Sequence, residues 1–148
     1  MIRATVRAAT PDDEAALFAL TSAFPTPTPS TLEVFRTLLP LKLADRRSAV
    51  FVAEEAGRLI GYVSGSVRLA FYAAGATAWV DEIYVLPEHR GAGIGARLME
   101  AFEDWAAGQD CNGVALATRA AAPFYERLGY TSRAAYLKKY FRSAPAAG

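Results

Sequence analysis

The chain has 148 residues, 53% of them apolar and 21% charged, enough to bury one sizeable core and too apolar for a disordered polymer. Sixteen basic residues against fifteen acidic ones leave a net charge of +1, which excludes the broad basic surface of a nucleic-acid binder. The lone cysteine, Cys111, excludes an intrachain disulfide and a cysteine-based zinc site, and no apolar run approaches a membrane span of roughly eighteen residues.

In chain order, "IRATVRAA" predicts a strand over residues 2–9. "TPDDEAALFAL" opens a helix, with Thr10 as cap, Pro11 at the first helical position and Asp12, Asp13 and Glu14 at the positive end. "FPTPTPS" is a loop, because each proline lacks an amide donor and restricts the residue before it. Ser30 is expected to cap a second helix running to about Ala44, with Leu32, Phe35, Leu38 and Leu39 on one side. "SAVFVAEEAGRLIGYVSGSVRLAFY" reads as two strands turning at Gly57; Gly61 and Gly65 inside the second point to a bulge or a close backbone approach. "TAWVDEIYVLP" is the third strand of this group.

A helix over residues 93–107 follows, its apolar side carried by Ile94, Leu98, Phe102 and Trp105. "GVALAT" is a strand, "AAPFYERLG" a short helix closed by Gly129, and "YTSRAAYLKKYF" a last strand. Residues 1–141 are thus expected to form a single domain, with residues 142–148 a frayed tail. The order βααβββαβαβ defines an α+β fold with a mixed, mostly antiparallel sheet flanked by helices.

The chemistry concentrates in "VLPEHRGAGIGARL". Glycine costs a helix about 1 kcal/mol relative to alanine, so Gly91, Gly93 and Gly95 at a helix start need a reason. Backbone amides there are unsatisfied and carry partial positive charge, and bare glycines let a pyrophosphate reach them. Arg90 adds a fixed cation beside this cradle. "GAGIGA" also matches the dinucleotide fingerprint, but the next strand ends at Thr118, followed by Arg119, without the acidic residue that reading requires.

Together, "DEIYVLPEHR", the Arg90, Gly93, Gly95 spacing and "APFYERLGY" resemble the GNAT acetyltransferase superfamily over the whole chain. The first supplies its fourth strand and exit turn, the second its [RQ]-x-x-G-x-[GA] coenzyme A signature, and the third its second motif. Thr118 departs from the pattern, standing where many members carry an asparagine. The resemblance implies transfer of an acetyl group from acetyl-CoA directly to a primary amine of a small molecule or peptide. It also implies backbone contacts from Ile83 and Val85 to the pantetheine arm. The amides of Gly91, Ala92, Gly93, Ile94 and Gly95, with Arg90, then hold the pyrophosphate. Tyr125 takes the place of the proton donor to the leaving thiolate.

An attacking amine must lose a proton, since an alkyl ammonium has a pKa of about 10. Asp81 and Glu82 lie side by side in an apolar strand and are expected to point to opposite faces, one of them into the cleft. Parity does not choose between them; Glu82 ranks first because acidic residues are frequent there in the family. His89 reads as a solvated loop residue, Cys111 as incidental to chemistry, and Phe71, Tyr72, Tyr136 and Tyr140 as core or pocket aromatics. No metal, membrane or nucleic-acid partner is expected; the setting is cytoplasmic, and members of the superfamily often form homodimers. Two competing readings are a non-catalytic acyl-CoA sensor of the same fold and a dinucleotide-binding protein.

Overall fold

The computed structural model describes residues 3–142. Its sheet has five strands in sequence order: β1 (Thr5–Ala8), β2 (Ser48–Glu55), β3 (Arg58–Ala70), β4 (Gly75–Val85) and β5 (Val114–Leu116). The first three pairings are antiparallel and β4 with β5 is parallel. This is the expected mixed, mostly antiparallel α+β sheet. The helices are α1 (Glu14–Ala23), α2 (Leu32–Ala44), α3 (Ile94–Gly108) and α4 (Ala122–Arg127).

Each face of the sheet has its own core. On one, α3 buries Ile94, Leu98, Met99 and Phe102 against Ile60, Val63, Ala78 and Val80. On the other, α1 and α2 bury Leu17, Leu20 and Leu39 against Val50, Val52, Leu59 and Tyr62. The glycines of β3 serve the first face. A Cβ on Gly65 would lie 2.5 Å from Phe102 Cζ and nearer still to the Trp79 carbonyl. One on Gly61 would lie 2.9 Å from the Tyr84 carbonyl. Both are close approaches, and the register also shifts between Ser64 and Gly65, so the two reasons anticipated for glycine in this strand hold together.

Three local expectations are corrected. The cap of α2 is Thr31 and not Ser30: the Thr31 hydroxyl accepts the Val34 amide at 3.2 Å. The first turn, Pro11–Asp13, is 3-10 and α1 begins only at Glu14, although Thr10 caps the turn and Pro11 opens it as expected, with the Asp13 carboxylate accepting the Thr10 amide at 2.8 Å. The last strand does not form. Residues 130–141 carry no ladder, and Tyr136, Leu137, Tyr140 and Phe141 are exposed, because β5 is only three residues long and offers little edge to pair with. Ile2 lies outside the described residues, as does the expected tail beyond Arg142.

Candidate active site

Asp81 is the bulged residue of β4. Ser64 pairs with Glu82 and Gly65 with Val80, so nothing on β3 opposes Asp81. One extra residue resets the alternation of the strand. Ala78 and Val80 before it, and Ile83 and Val85 after it, all pack on the α3 side. Asp81 and Glu82 consequently both reach the α1–α2 side, which corrects the expectation that adjacent carboxylates point to opposite faces. There the Asp81 carboxylate meets Lys42 Nζ of α2 at 3.5 Å. Glu82 Oε1 accepts the hydroxyl of Tyr62 at 3.0 Å. Tyr62 is 1% exposed, and burial, reinforced by Glu82, pushes its phenol far above the ordinary tyrosine value.

The second half of β4 has one free edge. Strand β5 pairs only with Ala78, Trp79 and Val80, and among the described residues no strand lines the stretch 81–85 on that side. The Leu86 amide bonds the Ile60 carbonyl at 2.9 Å, and Tyr84 and Glu82 follow in the same register with Tyr62 and Ser64. Alternate residues of an antiparallel strand bond its partner; the backbone groups of Ile83 and Val85 therefore face the gap. The ladder between β4 and β5 stops at Val80 and Leu116, which leaves this stretch of main chain without a strand beside it.

The unpaired stretch of β4 leads along the chain into the glycine loop. Gly91 and Gly93 have φ of +82° and +83°, left-handed values that side chains rarely adopt. Gly95 is bare for a different reason. A Cβ there would lie 3.2 Å from Phe124 Cζ, so its absence lets α4 dock on the first turn of α3. The Arg97 amide, bonded to the Gly93 carbonyl at 3.1 Å, is the first claimed by the helix; no hydrogen bond among the described residues takes the amides of 91–96. Such a row of free amides at a helix start suits an anion. Arg90 folds back over β4, its Nε on the Val85 carbonyl at 2.8 Å and its guanidinium 5.3 Å from the Tyr84 ring centroid.

Tyr125, 8% exposed, packs in the α3-side core between Phe124 and Tyr130 at 5.0 and 5.9 Å between ring centroids. Burial raises its phenol above the ordinary value, so it holds its proton at neutral pH. Its hydroxyl has no hydrogen-bond partner among the described residues. The Thr118 hydroxyl accepts the Ala121 amide at 3.1 Å and shapes the entry to α4. His89 is partly buried rather than solvated, its Nδ1 lying 3.4 Å from Glu55 Oε2. Burial, with Asp110, raises the Cys111 thiol, which leaves it a poor nucleophile. Among the aromatics, Phe71 and Tyr72 are exposed and belong to neither core, whereas Tyr136 stacks on Trp79 at 6.4 Å.

The sequence alone did not single out Tyr62 or Lys42. Both lie far along the chain from the acidic pair, and only the bulge brings that pair to their face.

An unpaired strand edge leading to a row of unclaimed helix-start amides, with a buried tyrosine on the α3 side, is the arrangement this sequence builds. The chain belongs to the acetyltransferase (GNAT) family, whose sequence model matches residues 14–130. It is 32% identical over 125 residues to an uncharacterized N-acetyltransferase of Methanocaldococcus jannaschii, covering 80% of this chain and 71% of that protein. The structure of glucosamine-6-phosphate N-acetyltransferase from Arabidopsis thaliana superposes with a TM-score of 0.83 at 21% identity, covering 94% of this chain and 99% of the other. A predicted acetyltransferase of Clostridium acetobutylicum, solved with acetyl-CoA, superposes with a TM-score of 0.80 at 17% identity, covering 93% and 96%. Family membership sets aside the dinucleotide-binding reading.

Proposed function

We propose that the protein transfers the acetyl group of acetyl-CoA directly to a primary amine of a small molecule or peptide. One observation carries this reading: the free edge of β4 at Ile83 and Val85 leads straight into the unclaimed amides of 91–96. A pantetheine arm bonding the first would bring its pyrophosphate to the second. Arg90 holds the Val85 carbonyl, so binding exchanges that bond for the arm and releases the guanidinium toward the phosphates.

The acceptor enters as an ammonium and gives a proton to Glu82. Its neutral nitrogen attacks the thioester carbonyl carbon to give a tetrahedral adduct with a cationic nitrogen; that nitrogen loses its second proton to water, the carbon–sulfur bond breaks, and the thiolate takes the proton of Tyr125. Both side chains then return to their starting states by exchange with solvent. Asp81, neutralised by Lys42, is the weaker candidate for the base. That the Arabidopsis neighbour is named for an amino-sugar phosphate supports an amine acceptor of small size.

Thermal-shift titration tests the cofactor assignment. Acetyl-CoA raises Tm in proportion to the logarithm of its concentration, while NAD over the same range does not. Equal shifts from both would remove the coenzyme A reading.

A further inference from the structure

A carboxylate at the end of a flexible side chain makes a poor base unless something fixes it. We propose that Tyr62 is the positioning residue of the proton-accepting step: its hydroxyl anchors one oxygen of Glu82 and leaves the other to meet the amine. This rests on the reading of Glu82 as the base.

Three observations carry the inference. The Tyr62 ring is fully enclosed by the α1–α2 core, with Leu17, Leu20 and Leu59 in the same cluster, so the position of its hydroxyl is set by packing. The bond to Glu82 Oε1 spans 20 residues of sequence and measures 3.0 Å. No other hydrogen bond to the Glu82 carboxylate occurs among the described residues, and Ser64, directly across the sheet, keeps its own buried hydroxyl unpartnered and does not compete.

The charged and titratable groups around Glu82 are few. Asp81 and Tyr84 flank it on β4, Tyr62 faces it from β3, and Lys42 of α2 is engaged by Asp81. From α1, Glu14 bonds Arg36 of α2. Tyr62 is thus the one direct partner of the carboxylate among the described residues. Holding its proton, it donates to one carboxylate oxygen and fixes its direction. In general, removing a donor from a carboxylate disfavours its charged form.

The test compares pH profiles of kcat/KM at saturating acetyl-CoA. Tyr62→Phe keeps the ring and deletes the donor; its kcat/KM should fall and its acidic limb move up, with acetyl-CoA affinity within twofold of wild type. Replacing Tyr62 by 3-fluorotyrosine strengthens the donor with little added bulk and should move the limb down. If Tyr62→Phe does not fold, the fluorotyrosine protein decides alone. Glu82→Gln provides the reference by abolishing the limb. Should Glu82→Gln abolish it while both Tyr62 proteins keep the wild-type profile, Tyr62 only packs and the proposal is overturned. A limb that survives in Glu82→Gln refutes the base assignment itself, and the proposal falls with it.

Discussion

Replacing Gly93 by valine separates backbone strain from loss of the anion cradle. Gly93 has φ +83° and ψ 8°, a left-handed conformation that costs an L-residue roughly 1–2 kcal/mol, more for a branched one. Domain stability is about 5–15 kcal/mol, so the variant stays folded with a Tm lower by about 2–8 °C. Binding should suffer more. A hydrogen bond to a charged group is worth about 1.5–3 kcal/mol, so misplacing one amide of the cradle weakens acetyl-CoA by roughly ten- to a hundredfold. Gly57 supplies the control: it has φ +77° and open space around its Cβ position, in the β2–β3 turn. Gly57→Val imposes similar strain away from the loop. Calorimetric titration of both variants with acetyl-CoA should show affinity lost only in Gly93→Val. Equal affinities in the two proteins would refute the assignment of the cradle.

Tyr125→Phe removes a hydroxyl without a partner among the described residues and keeps a buried ring; Tm should change little while single-turnover acetyl transfer falls about 10²–10⁴-fold. Unchanged single-turnover rates would make it a packing residue. Glu82→Gln should lower kcat/KM far more than Asp81→Asn, with acetyl-CoA affinity nearly constant, and the reverse ranking transfers the base role to Asp81. The Asp13 carboxyl lies below its ordinary value, chiefly through Arg7 Nη1 and Nη2 at 2.8 Å, so it is ionised at lower pH folded than unfolded. Its stabilisation is complete above the usual carboxylate range of about 4 and is lost as pH falls through the lowered folded value. Tm of Asp13→Asn should accordingly drop less than wild type between neutral pH and pH values of about 3, and parallel curves would contradict the pairing.

The local signals that sequence carries well concern punctuation and periodicity. The apolar spacing of Ile94, Leu98 and Phe102 marked the buried side of α3, and Gly57 marked the β2–β3 turn. The glycine loop was legible because left-handed backbone leaves a residue-type signature at Gly91 and Gly93, although Gly95 proved to serve the contact with Phe124. What stayed hidden depends on register. The glycines of β3 pointed to a bulge, but nothing in the composition of β4 placed the extra residue at Asp81; that residue turned Asp81 and Glu82 to one side and selected Tyr62 and Lys42 as their partners. The strand expected over residues 130–141 failed for a related reason. Strand composition describes a residue's fitness for pairing, and pairing also requires an edge, which a three-residue β5 hardly provides.

Acetyl transfer itself is the most direct test. The purified protein is incubated with acetyl-CoA and a panel of primary amines, amino sugars, their phosphates and short peptides among them. Free thiol and acetylated product are quantified together. For at least one amine the two should appear in equal amounts, in wild type and far more slowly in Tyr125→Phe. Tight acetyl-CoA binding with no acetylated product from any amine in the panel would contradict catalysis and favour a domain that senses the cofactor without using it.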